Sequence, residues 1–377
     1  MQRMVVRGLV AMLAGLGQTP VIRAAADQPV QRLLYVANDV SGSIEIFAIA
    51  AHHAPVRTIP FGGSRFRGLS AHPDSARLYV SDSDSNSVAA IDLRSDAIVW
   101  RRTYSGDDAC ITPDRLNVTL DGSDVYVPCK DSNRLLILNA ATGDVRANVA
   151  IADNPHNTFT GESGHYMYVS ARSGTTLYLF DPGSRAVAGR IGGFSSPIRP
   201  FSVNAQETRV YANLTNLLGF AVADIPAQHR LKEAKQVTPS VRTDHPSANG
   251  GRPHGDHPFS HGIAVRPGTD EVWFSDDAWG YFYVYQTTGD HLRHLADVAL
   301  WRDVTKPWGH EHFRWVTFDI EGQHCYAADG TIIAAETRQV LWNERIPASE
   351  KLIEIDFEGG APVAASGQNG GVYYKHE

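Results

Sequence analysis

The sequence predicts an all-β fold, a β-propeller with seven blades, six being the alternative count. Segments of four short strands, separated by turns rich in Gly, Pro, Asp and Asn, recur along the chain. An aromatic residue in the second strand marks each copy, at Tyr35, Tyr79, Tyr126, Tyr168, Tyr211, Trp273 and Tyr326. The copies lie about 42 to 62 residues apart, a period typical of propeller blades. One such unit cannot bury both faces of its sheet alone, so the units are expected to stack around an axis.

The predicted strands group into consecutive repeat units along the chain. Residues 33–38, 43–49 and 56–61 are three strands of an incomplete first unit, and residues 67–104 hold a complete unit of four. Two further units follow at 115–151 and 157–191, and 199–225 begins another. Residues 351–357 form a last strand before a Gly-Gly turn. We expect this strand to complete the first unit, so that both ends of the chain close the ring and remove open sheet edges.

Two insertions interrupt the repeat, at 226–260 and 301–313. Long irregular loops in a compact domain are usually functional or disordered. Each insertion joins one blade to the innermost strand of the next, so both are predicted to lie on the same face. We therefore treat residues 27–377 as one propeller domain carrying two loop insertions.

The first 26 residues are predicted to be a signal peptide. Arg3 and Arg7 lie before and within an apolar run, and Ala24-Ala25-Ala26 offers a cleavage site. The alternative is a frayed N-terminal strand or tail. The run is too short for a membrane span. We expect a periplasmic or secreted protein with no transmembrane anchor.

Charge and cysteine content narrow the choice of partners. The formal net charge is −7 with no basic block, which argues against nucleic acid as a partner.

The chain contains three cysteines. Cys110 and Cys129 flank strands that meet at one face and are predicted to form a disulfide, which leaves Cys325 buried and unpaired. The sequence contains no C-x-x-C-H motif for covalent haem and no C-x-x-C pair for structural zinc.

Tyr35-Val36-Ala37-Asn38 resembles the signature of the YVTN-repeat propellers, and looser copies occur at 79–82, 168–170 and 211–213. This resemblance covers nearly all of residues 27–377 and implies a propeller related to the quinoprotein amine dehydrogenase and cytochrome d1 groups. It implies little about activity, because the architecture hosts many functions. The chain departs from the pattern at Cys129 and in both insertions. It lacks the tryptophan docking repeats of the quinone-dependent dehydrogenases, so that cofactor is not carried over.

A constant offset predicts a polar ring at the channel mouth. The residues twelve positions before six of the repeat aromatics are Arg67, Asp114, His156, Arg199, His261 and Arg314. Each begins an innermost strand, so all six are expected around the axis on one face, with Lys130 and Arg172 placed on the same side. The arginines favour a small anionic ligand, because guanidinium pairs bidentately with carboxylate or phosphate. The alternative is a structural ion pair with Asp114 or another acid.

Histidines in and beside the insertions suggest a metal. His254, His257 and His261, with His310 and His312, have spacings that copper, zinc or iron can use. They lack the helical H-E-x-x-H arrangement. The alternatives are solvated loop or packing histidines, or a metal-free anion site built from histidine and arginine.

Three functions follow from these patterns. The first is an exported propeller that binds a small anion, a metal, or both at the mouth. The second is a metal-assisted lyase or hydrolase in which the mouth histidines hold the metal or act as general base. The third is a scaffold on which a periplasmic redox protein docks. The sequence contains no nucleophile elbow and no phosphate loop that would decide between them.

Overall fold

The computed structural model describes residues 29–225, 235–237, 259–277, 280–289, 292–300 and 315–368. The predicted signal peptide, most of the first insertion and all of the second lie outside these residues. Within them, seven antiparallel sheets form a seven-bladed propeller, which confirms the predicted fold class and blade number. Three short 3₁₀ turns lie at Ile49–Ala51, Gly106–Asp108 and Lys130–Ser132. No helix in this part of the chain is long and apolar enough to cross a membrane.

The first blade is built from both ends of the chain. Strand β1 (Gln31–Asn38) pairs antiparallel with strand β28 (Leu352–Glu358), so Tyr35 lies opposite Ile353. The predicted ring closure is therefore confirmed. This sheet has the order β29-β28-β1-β2-β3. Its strands are β1 Gln31–Asn38, β2 Ser43–Ala48, β3 Ala54–Pro60, β28 Leu352–Glu358 and β29 Ala361–Ala365.

The other six blades each have four strands in sequence order from the channel outwards. Blades two and three are β4 Phe66–His72, β5 Arg77–Asp82, β6 Ser87–Asp92, β7 Ile98–Thr103, β8 Asn117–Val118, β9 Asp124–Cys129, β10 Arg134–Asn139 and β11 Val145–Ala150. Blades four and five are β12 Pro155–Thr160, β13 Met167–Ala171, β14 Leu177–Asp181, β15 Ala186–Ile191, β16 Ile198–Val203, β17 Arg209–Leu214, β18 Phe220–Asp224 and β19 Lys235–Val237. Blades six and seven are β20 Ile263–Val265, β21 Glu271–Asp276, β22 Tyr281–Gln286, β23 Arg293–Ala299, β24 Val316–Phe318, β25 His324–Ala327, β26 Ile332–Ala334 and β27 Gln339–Trp342.

Two strands differ from the sequence-based expectation. Residues 235–237, assigned to an irregular insertion, form β19 and complete the fifth blade by pairing with β18. The backbone groups at the edge of β18 need partners, and three residues at a sheet rim leave no readable hydrophobic pattern. The second unexpected strand, β29, follows the Gly359–Gly360 turn and lies on the channel side of β28. Beyond it, the Gln368 carbonyl accepts hydrogen bonds from the Trp315 indole and the Thr317 hydroxyl, each at 2.9 Å.

The repeat aromatics hold neighbouring blades together. The buried apolar residues group into seven clusters, and each cluster contains one repeat aromatic together with residues of the next blade. Tyr126 of blade three, for example, packs with Met167, Val169 and Phe180 of blade four. The aromatic period of the sequence is therefore the period of the blade interfaces.

Removing single hydroxyl groups tests the blade interfaces. The Tyr126 hydroxyl is buried and has no hydrogen-bond partner among the described residues, whereas the Tyr168 hydroxyl donates to Glu207 Oε2 at 2.7 Å. We expect Tyr126→Phe to leave the free energy of unfolding unchanged or higher, and Tyr168→Phe to lower it by about 1–2 kcal/mol. Denaturant unfolding measures both. Equal losses in the two variants would contradict the assignment.

A buried histidine makes stability depend on pH. His53 is 1% exposed, and its Nε2 lies 3.0 Å from the Tyr326 hydroxyl. Burial, helped by the charge of His324, lowers the pKa of His53 to about 4. The folded protein therefore disfavours the protonated form that the unfolded chain adopts below its pKa of about 6.5.

The His53 contribution to stability should be full above about pH 6.5 and be lost as the pH falls toward 4. His53→Asn suits the positive φ of 56° and removes this titration. Unfolding curves at several pH values should show a smaller loss of stability between pH 6.5 and 4 in the variant. The same slope in both proteins would show that His53 does not titrate in this range.

Candidate functional site

A cavity of about 340 Å³ opens at the channel mouth, the face on which the innermost strands begin. Its lining comes from the starts of innermost strands and the ends of second strands, which topology brings to the same face. The lining residues are Asp39, Arg65, Arg67, Asp114, Arg115, Lys130, His156, Arg172, Arg199, His261, Ala328, Ala348, Ser349, Glu350 and Lys351.

The cavity brings together most of the predicted ring. Arg67, Asp114, His156, Arg199 and His261 all line it, each supplied by a different blade. Arg314, the sixth predicted member, lies outside the described residues. Lys130 and Arg172, which the sequence placed on the same face, line the cavity as well.

Strand pairing explains the constant offset and reveals a seventh position. Tyr79 pairs with Ser70, and Arg67 lies three residues before Ser70. The same geometry in the first blade pairs Tyr35 with Ile353, so the equivalent position is Glu350. Sequence counting missed Glu350 because its strand comes from the far end of the chain. Transferring the offset through the predicted ring closure would have found it.

The closest contact in the ring joins His156 and Asp114. Nδ1 of His156 lies 2.6 Å from Oδ2 of Asp114, and both side chains are buried. Burial alone would raise the pKa of Asp114, but His156, Arg67 and Arg115 lower it to about 2. Burial lowers the pKa of His156, and the charge of Asp114 offsets this only in part. At neutral pH the pair is therefore a carboxylate that accepts a hydrogen bond from a neutral imidazole.

Arg115 spans the channel and was missed by sequence reasoning. Its guanidinium lies 3.6 Å from the centre of the Trp315 ring and donates to Glu350 Oε2 at 2.7 Å. Its backbone leaves blade three and forms a parallel bridge to Asn157 of blade four. A Cβ on Gly68 would lie 2.7 Å from the Leu116 backbone nitrogen. The glycine therefore permits the inner strand of blade two to approach the backbone next to Arg115 in blade three.

Glu350 is held by two cations. Besides Arg115, the Lys351 ammonium donates to Glu350 Oε2 at 3.2 Å. Burial would raise the pKa of Glu350, but Lys351 and Arg115 hold it well below its ordinary value. Glu350 therefore stays ionised, and its charge is largely balanced within this cluster.

His261 lies in the cavity lining with its polar atoms unused. The residue is 6% exposed, and its ring centre is 6.0 Å from that of Trp315. Neither ring nitrogen has a hydrogen-bond partner among the described residues. Burial, together with Arg199 and Arg115, keeps the pKa of His261 well below its usual value. The imidazole is therefore neutral at physiological pH and can offer a donor and an acceptor to a ligand.

The predicted metal site lies largely outside the described residues. His254, His257, His310 and His312 are not among them, and His261 is the one member whose surroundings are known. The described part of the chain contains no group of three or more His, Cys, Asp or Glu side chains arranged to hold a metal ion. The metal assignment therefore stays a prediction.

A disulfide stabilises the loop that precedes Asp114 and Arg115. Cys110 and Cys129 are joined, and Cys325 is buried and free. The Lys130 amide donates to the Thr112 carbonyl at 3.1 Å, adding a backbone contact beside the bond. The covalent link and this hydrogen bond position Lys130 next to the loop that supplies Asp114.

Comparisons with known proteins support the propeller fold but indicate no activity. No protein-family model matches the chain, and no curated protein matches it. Among solved structures, Kuenenia stuttgartiensis hydrazine synthase is similar, with a TM-score of 0.59, 14% identity, and coverage of 86% of this chain and 98% of that one. At this identity the likeness supports the propeller fold alone, and YVTN-repeat membership is not established. Matches to 1604 structural chains show that the architecture is too widespread to indicate an activity.

Removing the disulfide tests its contribution to the stability of the fold. The two cysteines are 19 residues apart, and a cross-link closing a loop of this size contributes about 3 kcal/mol. We expect Cys110→Ala/Cys129→Ala to lose about that much unfolding free energy, measured by denaturant titration. Cys325→Ala is the matched control, because it removes a buried sulfur without a cross-link. A double variant no less stable than this control would contradict the assignment.

Proposed function

We propose that the protein binds a small anion, a carboxylate by preference, in the cavity at its channel mouth. One observation carries the proposal. The described residues of the lining include seven arginine and lysine side chains against three acidic ones, an excess of four positive charges. The chain as a whole has a net charge of −7. A concentration of cations against the overall charge attracts anions and raises their local concentration.

Unused polar atoms support a ligand in the same place. Both ring nitrogens of His261, Nε of Arg115 and Oδ1 of Asp114 are buried without hydrogen-bond partners among the described residues. Buried polar groups in native proteins are nearly always hydrogen-bonded to protein or to ordered solvent. A ligand carrying both acceptors and a donor would satisfy them. A cavity of about 340 Å³ is at the lower end of the range for small-molecule sites.

The competing interpretation is that the arginines of the cavity form structural ion pairs. It accounts for only some of them. Arg115 pairs with Glu350. Arg67 makes no salt bridge to any described carboxylate, and its Nε donates to the Ser83 hydroxyl at 3.2 Å. Asp114, its suggested partner, is hydrogen-bonded to His156 instead. Arg67 is therefore the side chain best placed to meet an incoming anion.

A divalent metal fits the described lining less well than an anion does. Burial, Arg199 and Arg115 disfavour a positive charge on the His261 ring, and Glu350 offsets this only in part. The copper, zinc or iron hypothesis rests on His254, His257, His310 and His312, and elemental analysis of the full chain separates the two readings. The anion site requires no stoichiometric metal, and the metal site requires it.

The proposed location is an oxidising compartment, the periplasm or the cell exterior. The Cys110–Cys129 disulfide supports this, since such bonds persist mainly outside the cytosol. The proposal keeps the predicted signal peptide over residues 1–26. A docking protein partner remains the rival role for the same face.

Isothermal titration calorimetry at low salt tests anion binding. The titrants are acetate, pyruvate, 2-oxoglutarate, citrate and inorganic phosphate, with glycerol as a neutral comparison. We expect at least one carboxylate to bind with unit stoichiometry, and the affinity to fall as salt screens the cations. No binding of any anion would contradict the proposal.

The Arg67→Met variant assigns the site within the protein. We expect it to weaken binding about tenfold or more, the loss expected for a hydrogen bond to a charged group. Arg94→Met is the matched control, because Arg94 is exposed in the turn between β6 and β7 on the opposite face. Equal affinities in the two variants would place the anion elsewhere.

A further inference from the structure

We propose that the cavity is also catalytic: His156, oriented by Asp114, removes a proton from the carbon beside the carbonyl of a bound 2-oxo acid. This inference rests on the proposed anion site and assigns it a substrate class and a reaction. Its basis is the hydrogen bond between the two side chains and the cations around them.

The hydrogen bond selects the tautomer of His156. Asp114 is an ionised acceptor, so the proton of the neutral imidazole lies on Nδ1, 2.6 Å from Asp114 Oδ2. The other nitrogen, Nε2, then carries a lone pair. Nε2 has no hydrogen-bond partner among the described residues, and His156 lines the cavity. A carboxylate behind an imidazole also stabilises the imidazolium that forms when Nε2 accepts a proton.

The surroundings keep His156 in its basic form before the reaction. Burial lowers the pKa of His156, and the charges of Arg115 and Arg199 lower it further against the effect of Asp114. A base that is already neutral at physiological pH needs no prior loss of a proton.

The same two arginines suit the charge that develops on the substrate. Arg115 belongs to the loop before blade three's inner strand and Arg199 to blade five, the two neighbours of blade four, and the charges of both act on His156. A 2-oxo acid carries one carboxylate and develops a second negative charge on its carbonyl oxygen. Fixed cations close to that oxygen stabilise the transition state more than the ground state. Buried Nε of Arg115, without a partner in the described structure, is one available donor.

The lining favours this reaction over acyl transfer. Among the described lining residues, Ser349 carries the one hydroxyl, and it donates to the Ala37 carbonyl at 2.7 Å. These described residues include no thiol. The described lining therefore offers His156 no free hydroxyl or thiol nucleophile to activate, whereas a base with neighbouring cations is sufficient for enolisation.

The step is balanced without a further reactant. The C–H bond beside the carbonyl breaks, and its proton moves to Nε2 of His156. The electron pair forms a carbon–carbon double bond, and the carbonyl electrons move to the oxygen to give an enolate. The proton on Nε2 exchanges with solvent, and transfer of a proton from Nε2 back to the carbon restores the 2-oxo acid and the neutral imidazole. In heavy water the returning particle is a deuteron, so the carbon-bound hydrogens are replaced by deuterium.

Proton NMR in heavy water measures this exchange directly. The probes are pyruvate and 2-oxoglutarate, and the expected result is loss of their hydrogens beside the carbonyl faster than in buffer alone. His156→Gln should lower the enzyme-dependent rate about 100-fold or more, the range of general-base contributions. His165→Gln is the matched control, since His165 lies exposed on the opposite face of the same blade, and it should exchange like the unmodified protein.

Asp114 acts as a positioning residue, and its test separates orientation from folding. Asp114→Asn should slow exchange at least tenfold while the calorimetric Kd of the probe changes less than threefold. The ¹⁵N chemical shifts of His156 should show that the proton no longer prefers Nδ1. An unchanged rate or unchanged shifts would contradict this role. Thermal unfolding confirms that each variant is folded.

The outcomes distinguish this proposal from the one on which it rests. If pyruvate or 2-oxoglutarate binds but exchanges no faster than in buffer, the catalytic role is wrong and the anion site stands. Exchange that persists in His156→Gln would assign the base to another residue and overturn the proposal. If the calorimetric panel shows no anion binding at all, the proposed function fails together with this inference.

Discussion

Closure of seven sheets into one ring is the constraint on which the rest of the molecule depends. Each sheet buries a face only against its neighbour, and the seven apolar clusters are the interfaces that this stacking creates. Pairing of β1 with β28 connects the last interface to the first. An open ring would expose unpaired strand edges and apolar surface at both of its ends, at a cost proportional to the area left in water.

The ring also explains why charged groups meet at the mouth. In the six blades where this position is described, the side chain three residues before the strand partner of the repeat aromatic lines the cavity. Arginine, histidine and acidic groups from distant parts of the chain become neighbours there. Burying them is unfavourable unless they are paired, and the His156–Asp114 and Arg115–Glu350 contacts offset part of that cost. The remaining positive excess is what the cavity presents to solvent.

The sequence predicted those site residues that occupy the repeated position of each blade, and it did not predict those that lie outside this position. Arg67, Asp114, His156, Arg199 and His261 follow a fixed offset, so a register count found them. Arg115 escaped because a regular strand would turn the residue after Asp114 away from the axis. At Arg115 a parallel bridge to Asn157 redirects the backbone. No local sequence pattern predicts such a contact between the inner segments of two neighbouring blades.

Local sequence patterns determined the blade architecture and the positions of the polar ring. These patterns are the turn residues and a recurring aromatic residue that must be buried against a neighbouring sheet. Strands β19 and β29 were not, because short strands at a rim or inside a channel depend on partners that the rest of the fold supplies. Pairing of His156 with Asp114, rather than of Asp114 with an arginine, was likewise decided in three dimensions. Hydrogen-bond distances and the field of surrounding charges arise only when remote segments are brought together, so no one-dimensional pattern contains them.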